Sequence, residues 1–220
     1  MDPSDIAELL APYLAPARLA PQQLVQISMY IDMLQRWNQK LALTALRSPQ
    51  EMVERHFGES LFVAHHLFPA AAPAPAVPLS GIDVGSGAGF PGLPLKIYAP
   101  ALRLTLIESQ QKKATFLREV VRALALREVE VFAGRAEDFP GRGDLVTLRA
   151  VERFEGVLPA AARLVASAGR LALLIGAPQA ERARRLLPGF SWESPALLPH
   201  SHQRILLVGT NHAGQESPSP

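Results

Sequence analysis

The sequence predicts an α/β fold in which a helical N-terminal segment precedes a doubly wound parallel sheet. Three observations lead to this prediction. Before residue 69, apolar residues recur at helical spacing; residues 69–78 are rich in Pro and Ala; and short apolar runs then alternate with amphipathic segments. Strands that alternate with helices are typical of a parallel sheet covered on both faces.

The N-terminal segment is predicted to contain three helices. Apolar stripes with steps of three and four residues mark the first two, over residues 6–14 and 24–37. The third begins after Ser48, a candidate N-cap, and runs to about Phe68. Trp37 lies on an apolar stripe, so we expect it in the core rather than at a stacking site.

The Pro/Ala-rich stretch at 69–78 is the clearest internal boundary of the chain. Such a stretch is expected to be extended and semi-rigid. We therefore predict a helical cap at 1–72, a second domain at 73–210 and a flexible polar tail at 211–220.

Six strands are predicted in the second domain, each a short run of mostly apolar residues. They are residues 79–84, 102–107, 129–132, 145–148, 171–175 and 205–208. Helices are predicted at 112–126, 155–167 and 178–187, and a short apolar segment lies between the first two strands.

Composition excludes several classes of protein. The 220 residues include no Cys, which excludes a disulfide scaffold, a thiolate zinc site and a cysteine nucleophile. The start of the chain is acidic and lacks the basic region of a signal peptide. No uninterrupted apolar run approaches the roughly 18 residues of a membrane span. We expect a cytoplasmic protein that is not bound to a membrane.

The net charge of +2 is unevenly distributed. Residues 1–79 carry five Lys/Arg and seven Asp/Glu, whereas residues 80–220 carry 17 and 13. This asymmetry permits a nucleic-acid partner, but a protein that coats nucleic acid would be more basic.

A glycine-rich turn follows the first predicted strand, at the edge where open α/β sheets bind nucleotides. Residues 82–92 read Ile-Asp-Val-Gly-Ser-Gly-Ala-Gly-Phe-Pro-Gly. The last three glycines fit the dinucleotide pattern G-x-G-x-x-G, but this match alone is weak. Asp83, two residues before Gly85, favours S-adenosylmethionine (AdoMet), because a carboxylate repels a pyrophosphate and attracts an ammonium or a sulfonium group.

Two acidic residues follow at later strand ends. Glu108 ends the second strand, where a carboxylate can accept hydrogen bonds from both ribose hydroxyls. It does not separate AdoMet from NAD, since both contain an adenosine ribose. Ala136 and Glu137 follow the third strand and would lie near the adenine, although Glu137 is equally explained as a carboxylate at a helix N-terminus.

Further sequence blocks accompany the turn, in order along the chain. They are Trp37-Asn38 with Leu43-Thr44, Arg55-His56 with Ser60-Leu61, Glu108-Ser109, Lys112-Lys113 with Phe116-Leu117, Gly134-Arg135-Ala136-Glu137 and Arg149-Ala150-Val151. With these blocks, nearly the whole chain resembles the bacterial RsmG (GidB) methyltransferases, which modify N7 of one guanosine in 16S ribosomal RNA. The resemblance implies a Rossmann-like class I methyltransferase sheet with an N-terminal helical cap beside the cofactor cleft.

The resemblance also implies roles for individual residues. The expected AdoMet-binding residues are Asp83, Gly85, Gly87, Gly89, Phe90, Glu108, Ala136, Glu137 and Arg149. The expected substrate-binding residues are Arg55, His56, Lys112 and Arg153. Phe90 is expected at the methionine end of AdoMet, and His56 is equally explained as a structural helix residue.

Three residues depart from the pattern of these methyltransferases. Ala42 stands in place of the usual Asn, Glu59 in place of Asp, and Ile175 in place of a common Lys. We expect all three on the substrate side, with the cofactor site left intact.

The implied chemistry needs positioning rather than a general base, because guanine N7 has an exposed lone pair and carries no proton. We therefore assign no acid or base, and His56 and Arg149 are the candidates nearest the substrate. The histidines at 65, 66, 200 and 202 do not form a cluster with carboxylates at ligand spacing, so no metal is expected.

The expected partner is 16S rRNA in a small ribosomal subunit or an assembly intermediate. The deep groove of A-form RNA hides N7, so an exposed loop is favoured over a duplex. Arg149, Arg153, Lys112 and Lys113 are expected to face its phosphates, and the protein is expected to be monomeric.

Three alternatives remain open from the sequence. The first is an AdoMet-dependent methyltransferase of another RNA or of a small molecule. The second is a nicotinamide dehydrogenase, suggested by G-x-G-x-x-G. The third is a non-catalytic RNA-binding protein, suggested by Ala42 and Ile175.

Overall fold

The computed structural model describes residues 1–69, 77–149 and 154–212. The predicted boundary at 72/73 lies outside these ranges, as does most of the predicted connector. Ala150, Val151 and Arg153 of the sequence prediction also lie outside the described residues.

The N-terminal segment is helical, as predicted. It comprises α1 (Pro3–Leu14), α2 (Pro21–Asn38), α3 (Pro49–Met52), a π-helical segment (Val53–Gly58) and α4 (Glu59–Leu67). Asp2 caps α1, because its Oδ1 accepts hydrogen bonds from the Ser4 backbone N–H and hydroxyl at 2.9 and 2.7 Å. Ser48 occupies the N-cap position of α3, as predicted, although its side chain makes no capping hydrogen bond.

The described residues form one mixed sheet of eight strands. These are β1 (Ser80–Val84), β2 (Arg103–Ile107), β3 (Val129–Phe132), β4 (Gly143–Arg149), β5 (Val165–Gly176), β6 (Phe190–Trp192), β7 (Ala196–Leu197) and β8 (Arg204–Asn211). The strand order is β3-β2-β1-β4-β5-β8-β6, with β7 also paired to β8.

The first five strands are parallel, and the α/β fold is confirmed. At one side of the sheet, β8 runs antiparallel to β5, and the short strands β6 and β7, which the sequence does not predict, also pair antiparallel with β8. β8 also continues to Asn211, one residue into the predicted tail. The Asn211 amide donates to the carbonyls of Val165 and Ala166, which fixes the end of this strand.

Four helices connect the strands: α5 (Gly92–Tyr98), α6 (Gln111–Ala123), α7 (Phe154–Arg163) and α8 (Gln179–Leu186). The predicted helix at 155–167 is too long, because α7 ends at Arg163 and β5 begins at Val165. In place of the last predicted helical turn, Val165 pairs with Gly143 of β4.

The two faces of the sheet carry separate cores. One core joins α1, α2, α4, α5 and α6 to residues such as Leu104, Leu106 and Leu206. The other joins α7 and α8 to the opposite face. The N-terminal helices therefore pack directly on the sheet, and Trp37 lies against the first core, as predicted. Among the described helices, none is long and apolar enough to span a membrane.

Candidate cofactor and substrate site

The strand order reverses between β1 and β4, and a cleft opens there at the carboxyl ends of the strands. Open α/β sheets place their ligands at this kind of switch point. The cleft has a volume of about 400 Å³. Its lining residues come from the ends of β1 and β2, the loop after β3 and the first turns of α7: Val84, Gly85, Ile107, Ser109, Gly134, Arg135, Ala136, Glu137, Gly156 and Val157.

The glycine-rich turn after β1 needs glycine for its backbone conformation. Gly85, Gly87 and Gly89 have φ of 68°, 56° and 92°, a region that disfavours other residues. At Gly89 a Cβ would also lie 2.6 Å from Leu93 Cδ1. Gly85 is exposed to the cleft, so a ligand can approach its backbone closely.

Asp83 lies beneath the turn and is fully buried. Its Oδ1 accepts a hydrogen bond from Thr147 Oγ1 at 2.6 Å, while its Oδ2 has no hydrogen-bond partner within the described residues. Burial raises the pKa of Asp83 to about 6, although the Thr147 hydrogen bond opposes this change. Asp83 therefore holds a partly unsatisfied negative charge below the cleft.

Glu108 fastens the turn to the end of β2. Its Oε2 accepts a hydrogen bond from the Gly87 N–H at 2.8 Å, and its Oε1 accepts one from the Gln110 N–H at 2.7 Å. A carboxylate held by two backbone donors has a fixed orientation beside the cleft.

The loop after β3 places Ala136 and Glu137 in the wall of the cleft, as predicted. Arg163, at the end of α7, holds this loop through Nη2, which is 2.9 Å from the Ala136 carbonyl and 3.0 Å from the Glu137 carbonyl. Sequence analysis did not single out Arg163, because only the folded α7 brings it to the loop.

Phe90 lies between the cap and the turn rather than in the cleft wall. One face of its ring stacks on Tyr30 at 5.4 Å between centroids, and His56 also stacks on it at 4.6 Å. The Tyr30 hydroxyl donates to the Ala88 carbonyl. The aromatic cluster thus locks the turn onto α2 and the π-helical segment, and the Phe90 ring is only 7% exposed.

His56 is held by the loop that follows α2. Its Nε2 lies 2.7 Å from Thr44 Oγ1, and Asn38 fixes Thr44 because Oδ1 of Asn38 accepts from the Thr44 N–H at 3.0 Å. Burial, together with Arg149 and two other arginines, lowers the pKa of His56 to about 3. His56 is therefore a neutral imidazole at physiological pH.

Arg149 ends β4 and faces the cap. Its Nη2 donates to the Arg55 carbonyl at 2.6 Å and to Glu59 Oε2 at 3.0 Å. Its Cζ lies 6.0 Å from the centroid of the Phe90 ring. The structure thus brings Arg55, His56 and Arg149 together on the cap side of the turn.

The remaining predicted residues have different positions. Lys112 and Lys113 lie in the first turn of α6, with Lys112 exposed. Of the three departures, Ala42 is exposed and Glu59 is buried among arginines. The Ile175 side chain is buried in the second core.

The residues around the cleft fit AdoMet. The turn offers exposed backbone at Gly85, Glu108 offers a fixed carboxylate, and Asp83 offers a buried negative charge with an unpartnered oxygen. AdoMet carries two positively charged groups and a ribose, and these three features complement them.

Comparison with known proteins identifies relatives of the whole chain. A family model described as rRNA small subunit methyltransferase G (GidB) matches residues 23–190. Ribosomal RNA small subunit methyltransferase G of Stenotrophomonas maltophilia is 37% identical over 201 residues, which cover 90% of each chain. The protein of the same name from Xylella fastidiosa is 37% identical over 210 residues, covering 94% of this chain and 88% of the relative.

Solved structures share the fold at low sequence identity. Magnesium protoporphyrin IX methyltransferase from Synechocystis, solved with bound SAM, superposes with a TM-score of 0.63 at 14% identity, covering 84% of this chain and 97% of that one. A predicted O-methyltransferase from Agrobacterium tumefaciens gives a TM-score of 0.58 at 18% identity, with coverage of 71% and 82%. These likenesses confirm the Rossmann-like methyltransferase fold.

Proposed function

Because the chain belongs to the rRNA small subunit methyltransferase G (GidB) family, we propose that it methylates N7 of a single guanosine in 16S rRNA. Family membership makes it an AdoMet-dependent rRNA methyltransferase, and the dehydrogenase alternative is not supported. That the methyl group goes to N7, and to one guanosine only, is what we propose beyond family membership.

The glycine-rich turn above buried Asp83 is the observation that carries the proposal. Asp83, Gly85, Gly87, Gly89 and Phe90 would surround the methionine part of AdoMet, with Phe90 acting through its backbone or ring edge. When bound, AdoMet supplies an electrophilic methyl group on its sulfonium sulfur.

The ribose and adenine would lie farther along the cleft. Glu108 is placed to accept hydrogen bonds from the ribose hydroxyls, because its carboxylate already stands at the end of β2. Ala136 and Glu137 line the same cleft and would contact the adenine. Arg149 would close the cofactor site from the cap side.

The chain's own contribution to the reaction is positioning. Guanine N7 carries no proton, so no residue has to remove one and no metal has to activate the nucleophile. His56 is neutral and is thus not a proton donor at physiological pH. Alignment of the reacting atoms can lower the barrier by several kcal/mol, up to about 7–11 in ideal cases.

The RNA would approach from the side of the cap. Arg55 is exposed there, His56 and Arg149 lie deeper, and Lys112 is exposed in the first turn of α6. Arg153 follows Arg149 in the sequence and remains a predicted phosphate contact. The guanosine has to be unstacked from A-form helix to uncover N7, which favours a subunit or an assembly intermediate as substrate. We propose that the protein acts there as a monomer in the cytoplasm, without a metal.

A methyl-transfer assay tests this function. Radiolabelled methyl from AdoMet is offered with small subunits that lack the modification, with naked 16S rRNA and with a pool of small metabolites. We expect label on the subunits, recovered as 7-methylguanosine after nuclease digestion. Label on another base, or only on metabolites, would contradict the proposal.

A further inference from the structure

Three arginines from distant parts of the chain meet at one buried carboxylate. Glu59 Oε1 lies 3.3 Å from Arg55 Nε and also pairs with Arg204 Nη1, while its Oε2 lies 3.0 Å from Arg149 Nη2. Glu59 begins α4, Arg149 ends β4 and Arg204 begins β8. The Glu59 side chain is only 2% exposed, so the surrounding fold fixes its position.

The cluster holds more positive than negative charge. One carboxylate pairs with three guanidinium groups, so these four side chains carry a net charge of +2. Burial lowers the pKa of Arg149 and of Arg204, which means that their charged forms carry a desolvation cost. His56 is neutral, and Asp83 acts on Arg149 only from a distance. An anion would relieve this excess charge.

The three arginine side chains differ in their exposure to solvent. The Arg55 side chain is 49% exposed, that of Arg204 28% and that of Arg149 12%. Two guanidinium groups therefore reach solvent, while the third extends inward toward the Phe90 ring. Guanidinium groups bind phosphate through paired N–H donors, so the outer part of the cluster suits a phosphodiester.

We propose that Glu59 is a positioning residue that gathers Arg55, Arg149 and Arg204 into one anion site, and that a phosphodiester of the rRNA strand occupies it. Glu59 acts through the arginines and does not contact the RNA. The inference rests on the proposed function, since it takes rRNA as the substrate. It adds Glu59 and Arg204 to the substrate side and names the group that they serve.

Two substitutions at Glu59 separate charge from shape. Glu59→Gln keeps the size of the side chain and removes its charge, whereas Glu59→Asp keeps the charge and shortens the side chain. Glu181→Gln serves as a matched control, because it removes the carboxylate of an exposed ion pair on α8. Methyl transfer to small subunits is measured for each variant together with the affinity for those subunits at two salt concentrations.

We expect kcat of Glu59→Gln to fall roughly 10- to 100-fold, because the arginines lose their common anchor. Its affinity for subunits at low salt should not weaken, since the cluster gains one net positive charge. Glu59→Asp should be more active than Glu59→Gln, and Glu181→Gln should match the wild type. A wild-type kcat in Glu59→Gln, or higher activity in Glu59→Gln than in Glu59→Asp, would overturn the proposal.

Arg204→Gln provides a second test if Glu59→Gln does not fold. This variant should bind subunits more weakly and should lower the salt slope of binding by about 1, as expected for one lost phosphate contact. An unchanged slope would overturn the phosphodiester site. Failure of the proposed function is distinguishable, because the wild type itself would then transfer no methyl group to the subunits.

Discussion

Replacing Asp83 by Asn should change how the stability of the ligand-free protein depends on pH. Asp83 is fully buried, and its Oδ2 has no hydrogen-bond partner within the described residues. The Asn side chain has the same shape, and its Oδ1 can still accept the Thr147 hydroxyl. The substitution therefore removes mainly the buried negative charge.

The magnitude follows from the pKa of Asp83. Burial raises it from 3.8 to about 6, and a difference of about 2 corresponds to about 3 kcal/mol at 1.36 kcal/mol per unit. The folded protein holds this proton more tightly than the unfolded chain does. The carboxyl group therefore has little effect on the free energy of unfolding below pH 3.8. It destabilises the fold increasingly as the pH rises from 3.8 to about 6.

Denaturant unfolding without AdoMet measures this effect. The free energy of unfolding of Asp83→Asn minus that of the wild type should rise by about 2.4 kcal/mol between pH 4 and pH 7.5, because a small part of the effect is already present at pH 4. The same difference taken at a single pH also contains the cost of a new buried amide, which does not vary with pH.

Asp144→Asn supplies a control of opposite sign. Hydrogen bonds from the Ser80 backbone N–H and hydroxyl lower the pKa of Asp144, so its carboxylate stabilises the fold above its unfolded pKa, and this stabilisation is lost as the pH falls. The difference between Asp144→Asn and the wild type should therefore decrease as the pH rises. Parallel pH profiles for Asp83→Asn and the wild type would refute the assignment of a destabilising buried charge to Asp83.

Three further substitutions test separate parts of the site. Gly85→Asp should abolish AdoMet binding in calorimetry, because it places a side chain at φ of 68° where the backbone faces the cleft. An affinity near that of the wild type would show that the Gly85 backbone does not need to be approached by AdoMet. Glu108→Ala should weaken AdoMet binding by roughly 10- to 100-fold, because it removes the proposed ribose acceptor and leaves the Gly87 N–H without its hydrogen bond to Glu108. An unchanged Kd would count against the ribose contact. Thr44→Val should cost about 1 kcal/mol of stability in denaturant unfolding, because it removes the hydrogen bond to the half-buried His56 ring. Equal stability would show that this bond contributes nothing.

The proximity of the residues proposed to bind AdoMet can be predicted from the sequence, because their signals are local. The glycine-rich turn directly follows β1, and Glu108 directly follows β2. In a parallel sheet, adjacent strands bring such neighbouring ends together. The position of Asp83, Gly85 and Glu108 around one cleft edge therefore follows from sequence order alone.

The substrate side depends on long-range packing that sequence patterns do not reveal. Glu59 and Arg204 meet only because β8 runs antiparallel beside β5, and neither its direction nor the short β6 and β7 could be predicted from apolar runs. The contacts that Tyr30 and His56 of the cap make with the Phe90 ring likewise join residues that are far apart in the sequence. The residues after Arg163 begin β5 instead of continuing α7, because pairing with β4 outweighs local helix propensity there.

Mapping modified bases in cells tests the proposed activity most directly. Small-subunit rRNA from cells with and without this protein is digested to nucleosides and fragments, and 7-methylguanosine is located by mass spectrometry. We predict one 7-methylguanosine that disappears without the protein, returns with the wild-type chain and does not return with Gly85→Asp. An unchanged amount of 7-methylguanosine at every position in cells that lack the protein would contradict the proposed function.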